Sequence, residues 1–127
     1  MSIDKMKKVT NLANELIKSS RGDVIYISNC SEARGHLNDG IKFLDLSEVE
    51  FINSDILKEI INQIVEQNNK LEIILLDNLS KIIKEDEIGR FVDDVDEISN
   101  KNNIKILFGL DRENKNVINS LDIEKID

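Results

Sequence analysis

Leu71-Glu72-Ile73-Ile74-Leu75-Leu76 runs apolar into Asp77, and Ile104-Lys105-Ile106-Leu107-Phe108-Gly109-Leu110 runs apolar into Asp111. Between them lies a polar, amphipathic stretch long enough for a helical crossover. Strands covered on both faces lose the in–out alternation and read as continuous apolar runs. Two such runs around a helical segment predict neighbouring strands of a buried parallel sheet.

The pattern extends outward from this pair. Asp23-Val24-Ile25-Tyr26-Ile27-Ser28 and Ile41-Lys42-Phe43-Leu44-Asp45-Leu46 read as two more strands. Met6, Val9, Leu12, Ala13, Leu16 and Ile17 recur at three- and four-residue steps, predicting an amphipathic helix over residues 4–19. Ser2 is available to cap it, and Gly22 suits a left-handed position after it. Residues 29–40 hold two glycines and no periodicity, so they read as a loop with at most one helical turn. Asn53 or Ser54 caps the next helix, with Ile56, Leu57, Ile60, Ile61, Ile64 and Val65 facing inward. A short helix is expected at 79–85, and a longer one from Asp86 to about residue 100, lined by Ile88, Phe91, Val92, Val95 and Ile98. A last helix at 113–121 would use Val117, Ile118 and Leu121, followed by an edge strand or tail with Ile123 and Ile126. The order α β β α β α β α predicts one α/β domain over residues 1–127. Its layers would be α/β/α, around a mainly parallel sheet of about four to five strands.

A net charge of −8 argues against nucleic acid or an anionic membrane as the main partner, since both need clustered Lys and Arg. The one basic cluster, Lys5-Met6-Lys7-Lys8, is short and falls on a helix. No apolar run is long enough to span a membrane. Met1-Ser2-Ile3-Asp4-Lys5 has no signal-peptide apolar region, so a cytoplasmic location is expected. Cys30 is the single cysteine, which excludes an intramolecular disulfide and a cysteine-rich metal site. His36 is the single histidine, which excludes a histidine-rich one.

Asp45, Asp77 and Asp111 each end a strand, and open parallel sheets hold ligands at the carboxyl ends of their strands. Three carboxylates meeting there could bind Mg²⁺ and handle phosphate. The simpler reading is that each caps the turn or helix that follows. Glycines 22, 35, 40, 89 and 109 form no phosphate-binding loop. Cys30 and His36 could be imagined as a nucleophile pair, but no third group is evident. Cys30 reads better as a small half-buried side chain at a strand end. Ser54, at a helix start, could accept a phosphate or simply serve as a cap. Glu85-Asp86-Glu87 and the acids from Asp93 to Glu97 read as a solvated helix face, or as a docking face for a basic partner.

Residues 24–113 resemble the core of RecA/KaiC-type ATPases, and more closely archaeal domains derived from that core. The resemblance rests on Val24-Ile25-Tyr26-Ile27-Ser28, the helix at 54–67, and Ile73-Ile74-Leu75-Leu76-Asp77-Asn78-Leu79-Ser80-Lys81-Ile82-Ile83. The last stretch is similar to the family's Walker B strand and the D-x-L-S-x-L sequence after it. Phe91 and Ile104 to Gly109 continue the match. The resemblance implies that Asp77 occupies the Walker B position, and that the helix at 4–19 corresponds to the one following the phosphate loop. That loop's lysine and serine or threonine have no counterpart here. The implied role is a non-catalytic regulatory or assembly module acting by protein contact, without nucleotide hydrolysis or a cofactor. Its surface would be the carboxyl edge with Asp45, Asp77 and Asp111, and a homodimer is compatible with it.

Phe43-Leu44-Asp45-Leu46-Ser47-Glu48-Val49-Glu50-Phe51-Ile52-Asn53-Ser54 is also similar to the LDLSxVxFxDSSG segment of STAS domains of the anti-sigma-factor antagonist type. That resemblance implies a phospho-switch binding a kinase or anti-sigma factor through Ser54. Asn53 stands where the family has aspartate, and Asp55-Ile56 where it has serine and glycine. The two families predict different sheets: all parallel with the Asp77 strand interior for the first, mixed with an exposed Ser54 for the second.

Overall fold

The computed structural model describes Ile3–Leu110. Helix α1 (Ile3–Ser19) leads into strand β1 (Asp23–Ser28), a 3₁₀ turn (Ser31–His36) and strand β2 (Ile41–Asp45). Helix α2 (Ser54–Gln67), strand β3 (Leu71–Leu76), helix α3 (Glu85–Asn102) and strand β4 (Lys105–Phe108) follow. The four strands pair in the order β2-β1-β3-β4, all parallel. The expected 113–121 helix, Ile123, Ile126, Asp111 and the Ser2 cap lie outside the described residues.

Each strand serves two cores by simple alternation. Val24, Tyr26, Ile73, Leu75 and Leu107 face α1, where they meet Met6, Val9 and Ala13. Ile25, Ile27, Ile74, Leu76, Ile106 and Phe108 face α2 and α3, where they meet Leu57, Ile61, Ile88, Phe91 and Val95. The sheet is therefore the middle of three layers. Phe91 and Phe108 lock α3 to β4 with an edge-on contact at 6.5 Å between ring centres. The β1–β2 connection crosses on the α1 side, while β2–β3 runs back over β1 by way of α2 on the other side. Crossovers that reverse direction must change face if their hand is to stay the same.

Local chemistry sets the element ends. Asn53, not Ser54, caps α2, its side chain accepting from the Ile56 N–H at 2.8 Å. The stretch expected as a short helix at 79–85 makes only a 3₁₀ turn, Leu79–Lys81. Asn78 accepts from the Ser80 N–H at 3.1 Å, an Asx turn that competes with a regular helix start. α3 begins instead after Lys84, with Glu85, Asp86 and Glu87 in a first turn that favours negative charge. It ends at Asn103, in the left-handed region at φ 53°. Gly22 does not fill such a role, since Gly40 is the one described glycine at positive φ. Gly22 is needed because a Cβ there would collide with the Lys70 carbonyl. Of the six apolar residues expected inside α2, Ile56 faces outward, 38% exposed.

Candidate functional site

In a parallel sheet the crevice for ligands opens between adjacent strands whose connections leave toward opposite faces. Here those strands are β1 and β3. The chain leaves β1 toward the α1 side and leaves β3 toward the α2/α3 side, so the crevice lies between Ser28 and Asp77. Alternation puts Tyr26 and Ser28 on the α1 face of β1, and Asp77 continues the face set by Ile73 and Leu75.

These three side chains form a closed polar centre. Ser28 Oγ donates to Asp77 Oδ2 at 2.7 Å, and Tyr26 Oη donates to the same oxygen at 3.1 Å. Ser28 Oγ also accepts from the Cys30 N–H at 2.9 Å, which ties the start of the following loop to the centre. Tyr26, Ser28 and Asp77 are each 0% exposed. Asp77 Oδ1 is buried with no hydrogen-bond partner. Burial pushes the Asp77 carboxyl above the ordinary aspartate value, and the Ser28 and Tyr26 donors only partly offset this. Burial, then the neighbouring carboxylate, push the Tyr26 hydroxyl up as well, so it stays a donor.

Asp45 stands on the same edge and the same face, directly beside Ser28 in the β1–β2 register. Its Oδ1 accepts from the Ser47 N–H at 2.8 Å. Hydrogen bonds from the Ser47 hydroxyl and N–H hold its carboxyl below the usual range. Asp45 is thus a turn cap, as the simpler reading expected. β1 separates it from Asp77, which puts their backbones about 10 Å apart at ordinary strand spacing. Among the described residues no three His, Cys, Asp or Glu side chains come together in a metal-binding group. Asp111, the third carboxylate of the expected edge, lies outside them. Ser54 is 4% exposed in the first turn of α2, so a phosphate there would require that turn to open.

Two features escaped the sequence reading. The hydroxyls of Tyr26 and Ser28 meet a residue about fifty positions away, and only the strand order brings them together. The second is on the β2–α2 connection, where Val49 is 46% and Phe51 65% exposed, with Ile56 just beyond. Apolar residues in a loop without a periodic partner were the available signal.

The sequence matches no protein-family model and no curated protein. The fold is thus defined at the level of class: a three-layer α/β domain with a four-stranded, all-parallel sheet. No described helix is long and apolar enough to cross a membrane.

Proposed function

We propose that this chain is a non-catalytic module that acts by protein contact, built on a RecA/KaiC-like scaffold. The state of Asp77 carries this reading. On an ATPase core the carboxylate at this position must face a ligand. Here it is 0% exposed and its Oδ2 takes two internal hydroxyls. A carboxylate occupied in this way has become part of the core, and function falls to the surface around it. The parallel sheet with β3 in its interior supports the RecA/KaiC resemblance over the STAS one, as does the burial of Ser54.

Thermal unfolding with and without Mg²⁺ and adenine or guanine nucleotides tests the reading. The expected result is an unchanged Tm and no release of inorganic phosphate. A saturable nucleotide-dependent rise in Tm that Asp77→Asn removes would overturn it, because binding to the folded state must stabilise it.

A further inference from the structure

We infer that the β2–α2 connection is a docking knob for a different protein, one offering an apolar pocket rimmed by Lys and Arg. This rests on the protein-contact reading above and names the surface and the chemistry of its partner.

The connection is held at both ends. The Leu46 N–H donates to the Ser28 carbonyl at 2.8 Å, and the Val49 N–H closes a turn on the Leu46 carbonyl at 3.1 Å. Leu46 is buried, Ile52 packs against the α2/α3 core, and Asn53 caps α2. Between these anchors the chain turns Val49 and Phe51 outward, and Ile56 follows in the first turn of α2. These three are the exposed large hydrophobics among the described residues, and all come from one short stretch. The other phenylalanines, Phe43, Phe91 and Phe108, pack within the two cores. A phenylalanine held outward on an anchored loop loses little entropy on binding and suits insertion into a pocket.

Charge selects the pocket. Residues 45–56 contain Asp45, Glu48, Glu50 and Asp55 and no Lys or Arg. Among the described residues Glu48 and Glu50 have no ion-pair partner, and Asp55 has only an exposed Arg90 at 3.6 Å. A second copy docking through the same knob would press these carboxylates against their own equivalents, which costs rather than gains. An anionic bilayer would be repelled for the same reason. A cationic rim around an apolar pocket satisfies both the carboxylates and Phe51.

The test places a photo-crosslinker in the full chain by Phe51→p-benzoyl-phenylalanine in cells that make the protein, then purifies the crosslinked partner. The crosslink is expected to fall in an apolar segment flanked by Lys or Arg. Titration of that partner should give a Kd that rises steeply with salt. Phe51→Ser should weaken it roughly 30-fold or more, as for a central hot-spot residue. Glu48→Lys with Glu50→Lys should slow association roughly tenfold at low salt. Both variants should keep the wild-type Tm, which separates lost contact from lost fold. Crosslinks between copies, a pulldown onto anionic phosphatidylserine vesicles, no crosslink at all, or a complex indifferent to Phe51 and to salt would each overturn the inference. A nucleotide-dependent Tm shift would sink the non-catalytic reading whatever Phe51 does, so the two failures are distinguishable.

Discussion

Asp77→Asn is expected to stabilise the protein near neutral pH and to leave it almost unchanged near pH 4. The carboxyl is fully buried, and burial raises its pKa despite two hydroxyl donors. A raised folded-state pKa means that the folded protein holds the proton more tightly than the unfolded chain does. The contribution of this one group to wild-type stability is therefore greatest below the unfolded value of about 3.9 and falls as pH rises from there to the folded value. The amide keeps the shape and one acceptor for Ser28 and Tyr26 but has no charge to desolvate. Its NH₂ replaces Oδ1, which has no partner, so one unpaired polar atom is exchanged for another. What remains is ionisation, worth about 1.4 kcal/mol for each unit of pKa elevation. An unpaired charged oxygen costs more to bury than an unpaired neutral amide, and a difference on the order of 1–3 kcal/mol puts the gain near neutral pH at about 2 kcal/mol. For a chain of this size that is roughly 6–10 °C in Tm. Urea unfolding of both proteins across a pH series measures it, since ionisations shared by the two proteins, such as those of Asp23, Asp45 and Glu72, cancel in the difference. Ser28→Ala in each background then isolates the hydroxyl–carboxylate bond. It should cost more against the charged aspartate than against the amide, by about 1–2 kcal/mol. The loss of the Cys30 N–H acceptor is common to both backgrounds and cancels. A stability difference that is flat in pH, or an Asp77→Asn protein less stable than wild type near neutrality, would refute the reasoning.

Four further outcomes follow from single features. Gly22→Ala should destabilise by about 1–3 kcal/mol in urea unfolding, because its Cβ meets the rigid Lys70 backbone rather than a movable side chain. Asn53→Ala should cost about 1 kcal/mol and fray the start of α2, visible as faster amide exchange there. Phe91→Ala should cost about 3–5 kcal/mol, since the ring is fully buried and holds α3 on β4 through Phe108; calorimetry reads it directly. Phe51→Ser should lie within about 0.5 kcal/mol of wild type, the ring being 65% exposed.

Most of the architecture was legible because burial on both faces leaves an unmistakable pattern. β1 and β3 fall at the expected residues, and α1 within one residue of its expected start. Errors came where a local polar contact overrides periodicity. The Asn78 side chain turns an apparently helical 79–85 into a 3₁₀ turn. At Gly22 the residue type was informative but its reason was tertiary: the close approach of the Lys70 backbone. The site was less legible still. Three strand-ending aspartates look equivalent in sequence, yet Asp45 caps a turn at a surface edge while Asp77 is sealed in the middle of the sheet. Strand order makes that difference, by giving β3 two neighbours and β2 one among the described residues.

The same topology decides where contact can occur. A crevice between β1 and β3 is open only if the loops leaving them diverge and stay apart. In this chain Ser28 binds both Asp77 and the Cys30 backbone, so the loop leaving β1 is tied down over the carboxylate it would otherwise expose. Asn29 reinforces the closure, its Nδ2 donating to the Lys81 carbonyl at 2.9 Å across the mouth of the crevice. With the centre sealed, the accessible part of the carboxyl edge shifts outward to β2, where no further strand pairs among the described residues. The connection leaving β2 is the one that carries Phe51 and the unpaired acids. Asp77 Oδ1 is an unsatisfied carboxylate oxygen in the core, a feature that costs stability and calls for an explanation. If the centre serves to fix the loops of the carboxyl edge, then the pair Asn29→Ala and Ser28→Ala should loosen the 46–53 connection through the Leu46–Ser28 backbone bond. Faster amide exchange at Leu46 and Val49, with α3 unaffected, is the expected signature. Loosening confined to residues 29–40 would mean that the buried centre and the docking knob are independent.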